Sequence, residues 1–288
     1  MTAPRVDDAR RFLDAEGRLL ERRCAAAVLD GASPKGAVAA LLGYRNDDGG
    51  FGHGLEPDKA APGSQPLDVE VALKVMDLLG DVDGEVVTEA CRFLGRLGPG
   101  VSCLVDGALE HPRAPHWGPW ALRPELNPTA GIAALLWKWG IDDPWRSTAT
   151  TFCWASIDAG LPEDAHSFAE VLSLLAWVPD RERVATLRGA IADRLRSLKR
   201  FRLDPAGRDY GITPLHVAPA PDSAWIDLFE PALIEAHLDV LDVLVAEQDE
   251  DGGWPISWPT IGPAAVQAYR GIETLRALCV LRAFGRIA

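Results

Sequence analysis

Along nearly the whole chain, apolar residues recur at i, i+3, i+4 and i+7, the period of an α-helix with a buried face. Runs of alternating β-branched residues, which would read as strands, are almost absent. The pattern predicts helices at 5–29, 34–43, 67–80, 84–97, 128–140, 144–159, 163–178, 180–199, 231–247 and 271–285. Pro34 and Pro144 fall in first helical turns, where a missing N–H is tolerated. Gly80, Gly140 and Gly285 fall just past helix ends, where glycine closes the last turn.

Links of a few residues join 67–80 to 84–97, 128–140 to 144–159 and 163–178 to 180–199. Links this short force antiparallel hairpins. Within each hairpin one helix is the more apolar, as PLDVEVALKVMDLLG (66–80) is beside GEVVTEACRFLGRLG (84–98). The segments 127–140, 163–178, 230–248 and 269–285 belong with the apolar set. A helix apolar on most sides is buried on most sides. The alternation therefore predicts one all-α domain over residues 1–288, with an inner ring of helices wrapped by an outer ring. Four long irregular stretches, 44–66, 98–127, 200–230 and 248–270, each precede an inner helix. Regular alternation puts all four at one end, the mouth of a cavity, with 200–230 as a candidate lid.

Composition narrows the function. The chain is 48% hydrophobic and 25% charged, as a globular protein with a substantial core is. A net charge of −13 repels phosphate backbones and argues against nucleic acid as a partner. Cys24, Cys91, Cys103, Cys153 and Cys279 are widely spaced and form no CxxC pair, which points to buried thiols in a reducing compartment. The N-terminal MTAPRVDDARRFLDAEG lacks the apolar stretch of a signal peptide. Apolar runs such as GIAALLWKWG (131–140) are too short to span a bilayer. A cytoplasmic protein without a transmembrane segment is expected.

Two segments carry a family signal. Gln248-Asp249-Glu250-Asp251-Gly252-Gly253-Trp254 resembles the Q-x-x-x-G-x-W repeat of squalene and hopene cyclases and of prenyltransferase β-subunits. Tyr44-Arg45-Asn46-Asp47-Asp48-Gly49-Gly50-Phe51-Gly52 is a variant, with Phe for Trp and Arg-Asn for Gln. The chain is thus similar to the α/α-toroid superfamily of terpenoid cyclases and protein prenyltransferases. The resemblance implies a single α/α toroid of helical hairpins that acts on or binds an isoprenoid in a central apolar cavity. In that family the motif staples a helix end to the next hairpin.

The resemblance also points to Asp68-Val69-Glu70-Val71, where protonation-type cyclases carry D-x-D-D. Asp68 matches the first Asp and Glu70 the proton donor, while Val71 replaces the last Asp. First-turn acids also serve as helix caps. The loop Gly50–Asp58 gathers His53, Glu56 and Asp58 among glycines, a set able to act as acid and base or to hold a metal. Asn127, Thr129, Glu163, Asp164, His166, Glu230, Glu235, His237, Tyr269 and Glu273 form a polar rim at inner-helix starts. His166 and the loop tryptophans Trp117, Trp120, Trp225, Trp254 and Trp258 are candidates for substrate binding. Aromatic faces stabilise cations and also stack on sugars or pack hairpins. Arg113, Arg123, Arg202 and Arg208 could hold a diphosphate.

No D-x-C occurs, so zinc-dependent protein prenylation is not expected. No cofactor is predicted; Mg²⁺ would accompany a diphosphate substrate. Two other readings stay open: a carbohydrate-active (α/α) barrel enzyme with paired carboxylates, and a non-catalytic toroid that holds a lipid or a protein.

Overall fold

Proline and glycine set many of the helix ends. The computed structural model describes residues 3–202, 210–228 and 240–288. Its helices are α1 (Val6–Glu16), α2 (Leu19–Asp30), α3 (Lys35–Leu42), α4 (Pro66–Leu79), α5 (Gly84–Leu97), α6 (Leu126–Lys138), α7 (Pro144–Ala159), α8 (Ala165–Trp177), α9 (Arg181–Ser197), α10 (Pro214–Val217), the helical residues 240–246 (α11) and α12 (Pro263–Ala283). Single 3-10 turns lie at Ala108–Glu110, Pro119–Leu122 and Ile226–Leu228. Among the described residues there are isolated bridges but no strand, so the chain is all-α as expected. Glu230, Glu235, His237, Arg208 and the first part of the helix expected at 231–247 lie outside the described residues. No helix among the described residues is long and apolar enough to cross a membrane. Burial pushes the Cys24, Cys91 and Cys153 thiols up to about 12, in line with inert thiols.

The contacts gather into two compact units, residues 44–200 and residues 1–43 with 201–288. In the first, α6 packs against α4, α7 and α8. Every residue of α6 from Pro128 to Leu136 is buried, so it has no solvent face. α4 and α8 are nearly as enclosed, through Val69, Ala72, Leu73 and Met76 and through Phe168, Val171, Leu172 and Leu175. By contrast α9 buries only Val184, Ile191 and Leu195, a single stripe. The apolar–polar alternation in the sequence thus separates enclosed from one-faced helices in this unit.

In the second unit, two expected boundaries are corrected. The helix expected at 5–29 is two helices, because the chain turns at Gly17. A side chain there would come within 2.6 Å of the Leu13 carbonyl oxygen. The helix expected from 271 begins at Pro263, with Pro in its first turn. Gly271 is not its start. It lies mid-helix, where an added Cβ would sit 3.4 Å from the Gly17 Cα. Close approach of the two segments explains a glycine that otherwise costs a helix about 1 kcal/mol.

The two Gly-Gly-aromatic segments do the same work in different units. Asn46 N–H donates to Gly50 O at 2.9 Å, and Asp249 N–H to Gly253 O at 2.9 Å. Gly50 N–H donates to Asp48 Oδ1 and Gly253 N–H to Asp251 Oδ1, both at 3.0 Å. Gly49 and Gly252 have φ of 89° and 95°, the left-handed region that favours glycine. Each glycine pair also lies against a helix. Side chains at Gly49 and Gly50 would strike the Glu89 backbone and the Phe93 ring of α5, and side chains at Gly252 and Gly253 would strike the Asp8 backbone and the Phe12 ring of α1. Asp8 and Phe12 repeat the four-residue spacing of Glu89 and Phe93. So α1 stands to α12 as α5 stands to α4, and the hairpin begun at the C-terminal end is completed by the N-terminal helix. Gln248 fastens that join: its side chain accepts from Arg5 N–H at 2.8 Å and donates to Arg5 O at 3.0 Å.

Candidate functional site

Three enclosed helices of the 44–200 unit bring polar side chains together in an apolar setting. Glu70 comes from α4, Glu170 from α8, and Gly131 of α6 lies between them. A Cβ on Gly131 would sit 1.9 Å from Glu70 Oε1 and 2.1 Å from Glu170 Oε2. Two atoms that close to one point are no more than about 4 Å apart, and only glycine at 131 lets them meet. Both oxygens are buried and neither receives a hydrogen bond. Two carboxylates this close repel, and a proton on one of them relieves the repulsion and supplies a donor for the other.

Lys74, one turn along α4, is the counter-ion. Its Nζ donates to Glu170 Oε1 at 2.9 Å and lies 3.2 Å from Glu70 Oε1, out of line for a hydrogen bond. The Lys74 side chain is 48% exposed. Burial, and then the Glu170 charge, push the Glu70 carboxyl up to about 8 against the pull of Lys74. Glu70 therefore keeps its proton at neutral pH. Burial lowers the His166 imidazole, one turn from Glu170 on α8, against Asp164 and Glu170.

Asp68 belongs to a different cluster. Its Oδ1 accepts from the fully buried Lys59 at 2.7 Å and from Glu56 N–H at 2.8 Å, while Lys59 Nζ lies 3.1 Å from Glu56 Oε2. Burial works against the Lys59 ammonium and is outweighed by Glu56 and Asp68, so Lys59 stays charged. Lys59 thus ties the Gly50–Asp58 loop to the first turn of α4. Asp58 Oδ2 lies 3.5 Å from His116 Nε2, and its carbonyl accepts from Ala114 N–H at 2.7 Å. The expected loop acids are gathered, but around a lysine and a second loop.

His53 has φ 58° and its Nε2 lies 2.8 Å from Asn46 Oδ1, within the Gly-Gly-Phe staple. Trp117 is buried in an apolar cluster with Leu67, Leu104 and Ala121 and stacks on Trp120, which is 43% exposed. In the other unit, Trp225 is buried. Trp254 is buried as well, with N–H to Thr274 Oγ1 and Nε1 to the Leu244 carbonyl, so it packs the hairpin. Trp258 lies between Tyr210 and Tyr269, with ring centroids at 5.3 and 5.0 Å. Of the polar rim, Thr129 holds both the N–H and the carbonyl of Val101, and Asp164 caps α8 at Ser167 N–H. Among the described residues, no group of three or more His, Cys, Asp or Glu is arranged to hold a metal ion. Lys74, Glu170, Lys59 and Gly131 were not among the sequence candidates. The four-residue spacings Glu70/Lys74 and His166/Glu170 were the available signal.

No family model matches the chain, and no curated protein matches it significantly. The chain is similar to a solved structure described as a protein from Actinoplanes, with 19% identity and a TM-score of 0.56, over 97% of this chain and 99% of that chain. At that identity the likeness shows the fold alone.

Proposed function

We propose that the chain is a proton-transfer enzyme on an α/α toroid of the terpenoid cyclase-like type, acting on an isoprenoid in a central apolar cavity through the Glu70–Glu170 pair. The meeting of two unsatisfied carboxyl oxygens above Gly131 carries this reading. A carboxyl protonated to about pH 8 is loaded at neutral pH, and Lys74 is in place to stabilise the carboxylate left after transfer. An acid of this strength matches an oxygen function better than an isolated double bond, whose protonation demands a far stronger acid. The expected substrate is therefore an isoprenoid with an oxygen function near a double bond; Mg²⁺ enters only with a diphosphate.

Within the unit of residues 1–43 and 201–288, the packing of α1 on α12 supports construction from helical hairpins. Five free thiols fit a cytoplasmic setting. Glycoside cleavage needs carboxyls about 5 to 9.5 Å apart with the sugar between them. The Glu70 and Glu170 oxygens approach too closely for that role, which favours proton sharing.

The test is product analysis with oxygenated neutral isoprenoids, and with polyprenyl diphosphates plus Mg²⁺, for the wild type and Glu70→Gln. Product from the wild type and none from a folded Glu70→Gln is expected. Equal product from both, or no turnover of any isoprenoid, overturns the reading.

A further inference from the structure

Four polar side chains stand in two helical pairs on either side of Gly131. Glu70 and Lys74 are four residues apart on α4, and His166 and Glu170 four apart on α8, so each pair projects from one helix face. Glu170 is the joint. It meets Glu70 across Gly131 and lies one turn from His166 along its own helix. The intervening α6 brings Gly131 and the hydrogen-bonded Thr129, and its one titratable residue, Lys138, sits in its last turn and pairs with Asp77.

We infer that His166 is the base that works with the Glu70–Glu170 acid, and that the site carries out a 1,3-proton shift in an unsaturated substrate. The inference rests on the proposed reading of the carboxyl pair as the proton-carrying group. The environment supports it. Among the described residues, the charges facing His166 are Asp164 at the N-cap of α8, Glu170 from α8, Lys74 from α4 and Arg200 after α9. Those facing Glu70 are Lys74 and Glu170, with the Cys103 thiol nearby from the loop before α6. Burial lowers the imidazole while it raises the carboxyl, so at neutral pH the carboxyl holds the proton and the imidazole is neutral. That order is the reverse of the same two groups in water, and it supplies an acid and a base at once.

The step balances without an oxidant or a reductant. Glu70 gives its proton to one end of a three-atom unsaturated unit, whose π electrons form the new bond to hydrogen. The imidazole nitrogen of His166 takes a proton from the other end, and the released C–H pair becomes the new π bond. The imidazolium then releases its proton to solvent, and the Glu70–Glu170 pair takes one up from solvent, which restores both groups. The product is an isomer of the substrate, and concerted removal of the second proton lowers the acid strength the first step requires.

Imidazole ¹⁵N titration of histidine-labelled protein, assigned with His166→Gln, needs no substrate. His166 is expected to titrate below 6.5, and lower still in Glu170→Gln, which removes a charge that favours the imidazolium. A value at or above 6.5 that Glu170→Gln does not move overturns the inference. The second arm follows an isoprenoid that the wild type converts, in D₂O. One deuterium is expected in the product, with a rate that falls above about pH 8 as Glu70 ionises and falls at low pH as His166 protonates. His166→Gln is expected to lower kcat about 100-fold or more at similar KM and to remove the acid limb. An unchanged acid limb refutes the role of His166 and leaves the Glu70 reading intact, whereas an unaffected rate in Glu70→Gln refutes the underlying reading itself.

Discussion

Replacing Glu70 by Gln is expected to remove a loss of stability that the wild type undergoes as pH rises, and the size of the effect follows from the carboxyl pair. The folded protein holds the Glu70 carboxyl at about 8, against 4.5 for the group in water. A carboxyl raised on folding contributes stability that is complete below the unfolded value and is lost as pH climbs through the folded one. At about 1.4 kcal/mol for each pH unit between 4.5 and about 8, the loss is on the order of 5 kcal/mol. Because Glu170 shares the proton, that figure belongs to the pair. Gln keeps the shape and cannot ionise, so its stability escapes this term. The assay is urea unfolding of both proteins at several pH values from 4.5 to 9. The wild-type midpoint is expected to fall relative to Glu70→Gln as pH rises, with the difference levelling off above about pH 8. Titrating groups other than Glu170 and Lys74 cancel in the comparison. Parallel curves would mean that Glu70 ionises normally and that no proton is shared.

Further outcomes follow from other contacts. Gly131→Ala puts a methyl group about 2 Å from both carboxyl oxygens, so it is expected to part the pair and flatten the alkaline limb of the stability curve. Lys59→Met takes the counter-ion from the buried Asp68 and should cost about 3 to 5 kcal/mol in denaturant unfolding at neutral pH. Gly252→Ala forces a side chain to φ 95° and within 2.3 Å of the Asp8 backbone; it should destabilise by at least about 2 kcal/mol and speed hydrogen exchange in α1.

The parts of this fold legible in the sequence are those fixed by local rules. Helix period, the Pro144 start and the Gly80 and Gly140 stops place α4 to α9 within a few residues, because capping and amphipathicity act over one or two turns. The failures at Gly17 and Gly271 share a cause: two glycines distant in sequence approach each other, and no local pattern records a close approach. The candidate site divides in the same way. Asp68 and Glu70 were legible through the first turn of α4, yet their different roles depend on Lys59 and Glu170. Lys59 reads as one more loop cation, and Glu170 is separated from Glu70 by three intervening helices, α5, α6 and α7. Gly131 reads as a weak point in an apolar helix until the oxygens on either side are known. His53, expected with Glu56 and Asp58, belongs to the Gly-Gly-Phe staple because Asn46 takes its ring nitrogen.

The most direct test of the shared proton is a ¹³C titration of the glutamate side-chain carboxyls in uniformly Glu-labelled protein. One carboxyl is expected to keep its proton until about pH 8, and that transition should vanish in Glu70→Gln and move to lower pH in Glu170→Gln. Titration of every glutamate in the ordinary carboxylate range would contradict the account.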